Sequence, residues 1–205
     1  MLKKDSKRSL QWLESHRELL RERAAYSRFF DESKAPFYSV FNTGTYTLSP
    51  WKVVWRGIDT RIRAAVTSEY EGMTVIPQHI VSFISLSNET EAHYIAGVMN
   101  STPFRFAVSC FSQPGSKSFG TPSILEKARV PKFDPSNRLH TDIAAEAKRL
   151  STGTADVSAA IYQKLDSLSC GLWKIDEKGL KAIQDAYVEL YAAGTVEQGA
   201  TEADE

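Results

Sequence analysis

Three short stretches of this 205-residue chain pair side chains able to reach base edges with side chains able to hold phosphate. Asn42-Thr43-Gly44-Thr45-Tyr46 offers an amide, two hydroxyls and a phenol on a turn, and its glycine permits close backbone approach. Trp51-Lys52-Val53-Val54-Trp55-Arg56 alternates as a strand would, with Trp51, Val53 and Trp55 on one face and Lys52, Val54 and Arg56 on the other. One face is expected to be core, which makes Lys52 and Arg56 candidates for phosphate or base contact. Gln113-Pro114-Gly115-Ser116-Lys117-Ser118-Phe119 combines small residues with Lys117, suited to phosphate, and Gln113, suited to adenine. The candidate contact residues are thus Asn42, Thr43, Thr45, Tyr46, Lys52, Arg56, Gln113, Ser116, Lys117 and Ser118. Each stretch also has a plainer reading, as a hairpin turn, a charged surface and a polar loop.

Other chemistries find less. The chain contains no Gly-x-Gly turn and no Pro-Pro, so an adenine-N6 methylase site is not expected. Ser49-Pro50-Trp51 only partly resembles the tetrapeptide that holds a flipped base. Glu146-Ala147-Lys148 matches the acidic-x-Lys letters of a Mg²⁺ nuclease, but it falls in a helical pattern beside Asp142 and Arg149, where a salt-bridged solvent face is expected. His16, His79, His93 and His140 are scattered, and Glu89 with His93 lacks a third metal ligand. Cys110 and Cys170 lie in apolar stretches without paired ligand spacing and are expected to be reduced thiols. No catalytic residue, metal or resident cofactor is expected in this chain.

The elements that must position these stretches follow from periodicity. Leu10, Leu13 and Leu20 with Trp12 and Leu19 recur at helical spacing, predicting a helix over 1–31. Composition changes at Ala35-Pro36. Strands are predicted at Phe37–Phe41, Lys52–Arg56, Arg61–Thr67, Thr74–Ile76 and Ile80–Ile84, separated by turn residues such as Glu71-Gly72. Asn88, with Glu91 three residues on, predicts an N-cap, followed by a helix whose apolar face is Ala92, Ile95, Ala96 and Met99. Pro103 ends that helix or opens the next, Ser123 caps a short helix, and Ala128–Val130 returns to the sheet. Leu139, Ile143, Ala147 and Leu150, then Val157, Ile161, Leu165 and Leu168, then Leu180, Ile183, Tyr187 and Leu190 form three helical stripes, separated at Gly153 and Gly171. From Ala192 the chain reads as an unstructured acidic tail. The expected fold class is α+β: a mixed or antiparallel sheet flanked by helices, with an N-terminal helix and a C-terminal helical segment. The expected divisions are 1–31, 32–135, 136–192 and 193–205.

Hydrophobic residues make up 42% of the chain, enough for a core. The formal net charge is zero, but Glu197, Glu202, Asp204 and Glu205 fall in the last nine residues, so the rest is net positive. Any nucleic-acid contact must therefore come from a local patch or a positive partner. The charged start Met1-Leu2-Lys3-Lys4-Asp5 and the lack of a long apolar run suggest a cytoplasmic protein with no membrane contact.

Taken in order, Ala35–Asn42, Tyr46–Arg56, Asn88–Tyr94 running to Met99-Asn100-Ser101, Gly115–Pro122 and Val130-Pro131-Lys132-Phe133 resemble the C-terminal target-recognition domain of adenine-specific DNA methyltransferases. Those enzymes belong to restriction-modification and phage-defence systems. The loop at Gly115, with Ile124-Leu125 and Val130-Pro131 after it, is similar to one in type I specificity subunits, and type IIG recognition domains are similar too. The resemblance spans about residues 20–140, and it is carried by the order and spacing of these segments.

The resemblance implies a module that reads duplex DNA without performing chemistry. A methyltransferase domain, in cis or in trans, would use S-adenosylmethionine to methylate adenine-N6, and a nuclease could accompany it. Base-reading residues vary with target site in that family, so the contact residues above rest on their own chemistry. The alternative is a protein-interaction or scaffolding module docking through the C-terminal helices.

Overall fold

A computed structural model describes residues 6–59, 61–78, 80–111, 123–152 and 155–201, with backbone alone for 124, 155–158 and 191–201. The chain divides into two compact units, Met1–Thr47 and Leu48–Glu205.

In the first unit the expected single helix is three: α1 (Lys7–Glu14), α2 (Arg17–Arg21) and α3 (Ala24–Phe29). The Ser15 hydroxyl donates back to the Trp12 carbonyl at 2.7 Å and helps end α1. Arg23 is extended (ψ 126°) and separates α2 from α3. The predicted strand at Phe37–Phe41 does not form. Arg23 donates through Nη2 to the carbonyls of Phe37 (3.1 Å) and Ser39 (2.9 Å), so a guanidinium takes the place of a partner strand. The buried Tyr26 donates its hydroxyl to the Ala35 carbonyl at 2.9 Å, and the Arg17 guanidinium stacks 4.1 Å over the Phe37 ring. A 3-10 helix, Thr45–Leu48, follows.

The second unit contains an antiparallel sheet of order β2-β1-β5, with β1 at Trp51–Arg56, β2 at Ala64–Thr67 and β5 at Val81–Leu86. Strands β3 (Glu69–Tyr70) and β4 (Met73–Thr74) form a hairpin. Glu71 (φ 50°) and Gly72 (φ 74°) are both left-handed there, the geometry a two-residue turn between right-twisted strands requires. Trp51, Val53 and Trp55 share the core with Ala64, Val66, Ile84 and Leu86, as the alternation predicted.

Helix α4 (Glu89–Asn100) lies over this face. The Asn88 side chain accepts from the Glu91 N–H at 3.1 Å, as its sequence position predicted. All nine residues from Ala92 to Asn100 are buried, because the sheet lies on one side of α4 and α7 (Arg138–Thr152) on the other. Gly97 permits that approach: a Cβ there would stand 2.8 Å from Ile143 Cγ2. Ile143 of α7 and Ile161 and Leu165 of α8 (Ala155–Trp173) belong to the same core as Val53 and Trp55, so these C-terminal helices pack into this unit.

Helix α5 (Thr102–Phe111) starts at Thr102-Pro103 and is capped from a distance. The buried Asp166 on α8 accepts from the Thr102 N–H at 2.6 Å through Oδ1 and from Gln184 Nε2 of α9 at 3.0 Å through Oδ2. Ala128–Val130, after the short α6 (Ile124–Lys127), does not return to the sheet. Arg129 is left-handed (φ 50°), and the Trp173 indole N–H donates to the Ala128 carbonyl at 3.0 Å. Helix α8 runs through Gly171, which packs against Leu139, and the chain turns at Lys174 (φ 56°). Helix α9 (Glu177–Thr201) continues beyond Ala192, where composition predicted an unstructured tail. Among the described residues no helix is long and apolar enough to cross a membrane.

Candidate nucleic-acid interface

The turn that carries Asn42, Thr43, Thr45 and Tyr46 is exposed and internally braced. Asn42 is left-handed (φ 55°), a conformation asparagine tolerates better than most residues. The Tyr46 hydroxyl donates to the Asn42 carbonyl at 2.6 Å, with Asn42 Oδ1 sharing the proton at 3.0 Å, which ties Tyr46 back onto the turn. Thr43 Oγ1 donates to the Val40 carbonyl at 3.1 Å, and the Gly44 N–H donates to Thr47 Oγ1 at 3.1 Å. Beside the turn, Phe41 stacks on Phe29 at 3.8 Å between centroids, with the Arg28 guanidinium 5.3 Å from the Phe29 ring. Sequence reasoning placed Phe41 in a strand and missed this pair, which becomes adjacent only when the chain folds back at Pro36.

The two cations of β1 have opposite fates. Arg56 is exposed, with 68% of its side chain open. Lys52, expected beside it on an open face, is instead 0% exposed, and its ammonium donates to the Ser49 carbonyl at 2.7 Å. Burial lowers its pKa below the usual lysine value. Alternation assigned Lys52 to a face correctly, but says nothing of what covers that face. Lys52 is therefore an interior donor rather than a phosphate ligand.

Three residues that sequence reasoning passed over accompany Arg56. Arg61 and Arg63 are exposed and flank the buried Ile62. Arg63 Nη2 lies 3.0 Å from Asp59 Oδ2, and Arg56 Nη1 lies 3.9 Å from the same oxygen. The signal was present in Arg-Ile-Arg: an apolar residue between two arginines, entering a strand, turns both outward once it is buried.

Gln113, Ser116, Lys117 and Ser118 lie outside the described residues. The segment after them is firmly held. The Tyr94 hydroxyl donates to the Pro131 carbonyl at 2.9 Å, and burial pushes its pKa up to about 12. The Tyr94 ring packs against Phe133 and His140, and His140 Nδ1 accepts from the Asp134 N–H at 3.1 Å. Asn100, from the Asn100-Ser101 pair, holds an outer strand. Its Nδ2 donates to the Ala64 carbonyl at 2.8 Å, and its Oδ1 accepts from the Ala64 N–H at 3.1 Å and from Arg105 Nη2 at 3.0 Å. Asn100 and the Pro131 segment are thus structural anchors in this unit. Glu146 and Lys148 point into separate ion pairs, with Arg149 and Glu89 respectively, both at 2.7 Å.

No family matches this chain, and no curated protein matches it. The zero net charge conceals a division along the sequence. Through His140 there are nineteen basic and thirteen acidic side chains, and after it six basic and twelve acidic. Every candidate contact residue falls in the positive part.

Proposed function

We propose that this chain is a sequence-reading module for duplex DNA, working with an adenine-N6 methyltransferase domain that supplies S-adenosylmethionine chemistry. The observation that carries this reading is the set of exposed guanidiniums of Arg56, Arg61 and Arg63 at one end of a packed sheet. Arginines on a rigid strand end suit phosphate and guanine, which take two parallel N–H bonds. The excess of basic residues through His140 supplies the longer-range field. The Asn42 turn supplies amide and hydroxyl groups of the type that reads base edges. Lys117 and Gln113 remain part of the proposal on sequence grounds. A module of this kind would work in the cytoplasm, beside the DNA it reads.

Selection from a randomised duplex pool at low salt, followed by fluorescence anisotropy of the enriched sequence across a salt series, tests this reading. The expected result is an enriched motif whose affinity falls linearly on a log–log salt plot, with a slope of about −0.9 per phosphate neutralised. Absence of both enrichment and salt-dependent binding overturns it for the isolated chain. A second reading, a protein-docking module, draws on Val188 and Leu190, which α9 leaves exposed. Pull-down of a partner that is lost on Val188→Asp would favour it.

A further inference from the structure

Asp59 is the least expected residue at the end of the sheet. Its side chain is only 7% exposed, although aspartate is rarely this buried without a reason. It lies under two guanidiniums that stay open, Arg56 with 68% and Arg63 with 53% of the side chain exposed. Arg63 Nη2 reaches both carboxylate oxygens, at 3.0 Å and 3.4 Å, and Arg56 Nη1 stands 3.9 Å away. An ion pair with such exposed partners contributes little to stability by itself. Asp59 accepts from Arg63 Nη2 and stands at ion-pair distance from Arg56, so the trio carries a net positive charge while both guanidiniums stay largely open to solvent.

We propose that Asp59 is the positioning residue of a phosphodiester clamp formed by Arg56 and Arg63, with Arg61 alongside. A guanidinium offers five N–H donors in one plane, and anchoring some of them on a carboxylate fixes the plane of the rest. That removes side-chain freedom before the ligand arrives, which is how preorganisation strengthens binding. The buried Ile62 holds the intervening backbone in place. The clamp rests on the DNA-reading function above in taking its phosphodiester from a duplex; a free phosphate ester offers the same chemistry.

The test exploits a sign. Asp59→Asn removes a negative charge from a DNA-facing rim, so simple electrostatics predicts tighter binding. The clamp predicts the reverse: affinity for the selected duplex falls about tenfold and the salt slope loses about one unit, as for one phosphate contact. Asp59→Glu restores most of the affinity, and thermal melting confirms that each variant is folded. Arg63→Lys, which keeps the charge and loses the fork, weakens binding several-fold and provides the test if Asp59→Asn does not fold. Equal or tighter binding by Asp59→Asn, or full affinity in Arg63→Lys, overturns the clamp and leaves the DNA-reading function standing. If the wild-type chain binds no duplex, arginine Nε–H resonances are followed by NMR while inorganic phosphate is added. Shifts at Arg56 and Arg63 that vanish in Asp59→Asn retain the clamp for free phosphate esters and remove the DNA reading. No shift overturns the clamp.

Discussion

Asn100 joins a helix end, the outward side of an outer strand and a guanidinium with one side-chain amide. Asn100→Ala removes three hydrogen bonds and strands the Ala64 N–H and carbonyl. The expected cost is about 2–4 kcal/mol in urea unfolding, since a net hydrogen bond contributes about 1 kcal/mol and an unanswered buried group costs more. His93 carries the second prediction at this scale. It is buried on α4, and its Nε2 lies 3.8 Å from Glu89 Oε1. Burial lowers its pKa below the ordinary 6.5, opposed by Glu89 and reinforced by Lys148. The unfolded chain therefore takes up a proton more readily than the folded one. Stability from neutral His93 is complete above about pH 6.5 and is lost as pH falls through the lowered folded value. Urea midpoints should fall between pH 7 and 5, and His93→Gln should flatten that slope; His140, shifted the same way, adds to it in the same direction. Asn88 was readable in the sequence because a cap acts within three residues. Lys52 and Asp59 were not, because their burial depends on chain far from them.

Helix α4 sets the element scale, because it meets the sheet on one side and α7 on the other. Gly97→Ala ought to help an isolated helix by about 1 kcal/mol. Here the new methyl would stand 2.8 Å from Ile143 Cγ2, 3.0 Å from Ala147 Cβ and 3.1 Å from the Ile143 carbonyl. The backbone carbonyl cannot rotate away, so Gly97→Ala should lower the melting temperature by several degrees. Gly171→Ala is the contrast: its methyl meets only the Leu139 side chain, at 2.9 Å from Cδ2, a flexible end that can turn aside. Its melting temperature should stay within about two degrees of wild type, because helix propensity offsets the adjustment. The three C-terminal stripes were readable because a period of 3.6 survives any tertiary context. Phe37–Phe41 has strand composition, but β-propensity expresses a fit to a neighbouring strand, and the Arg23 guanidinium took those carbonyls first. Gly171 looked like a boundary because glycine often ends helices, whereas here it permits a close approach.

At the scale of the whole molecule, the sheet, α4 and the C-terminal helices share one core inside Leu48–Glu205. A fragment comprising residues 48–205 should unfold in a single cooperative transition and keep its helical circular dichroism. A gradual melt would show that residues 1–47 are needed to complete the core. The α+β class was readable in composition and period, but the union of sheet and helical segment was not, since Ile143 and Ile161 reach Val53 only through tertiary packing. The same long reach governs how the protein comes into being. The residue that caps α5 lies 64 positions beyond Thr102, on a helix still to be made when α5 leaves the ribosome. At about 5–20 residues per second, the sheet and α4 are complete for roughly 3–13 seconds before Asp166 appears. During that interval water alone answers the Thr102 N–H, and a chain released early would leave the start of α5 unfastened.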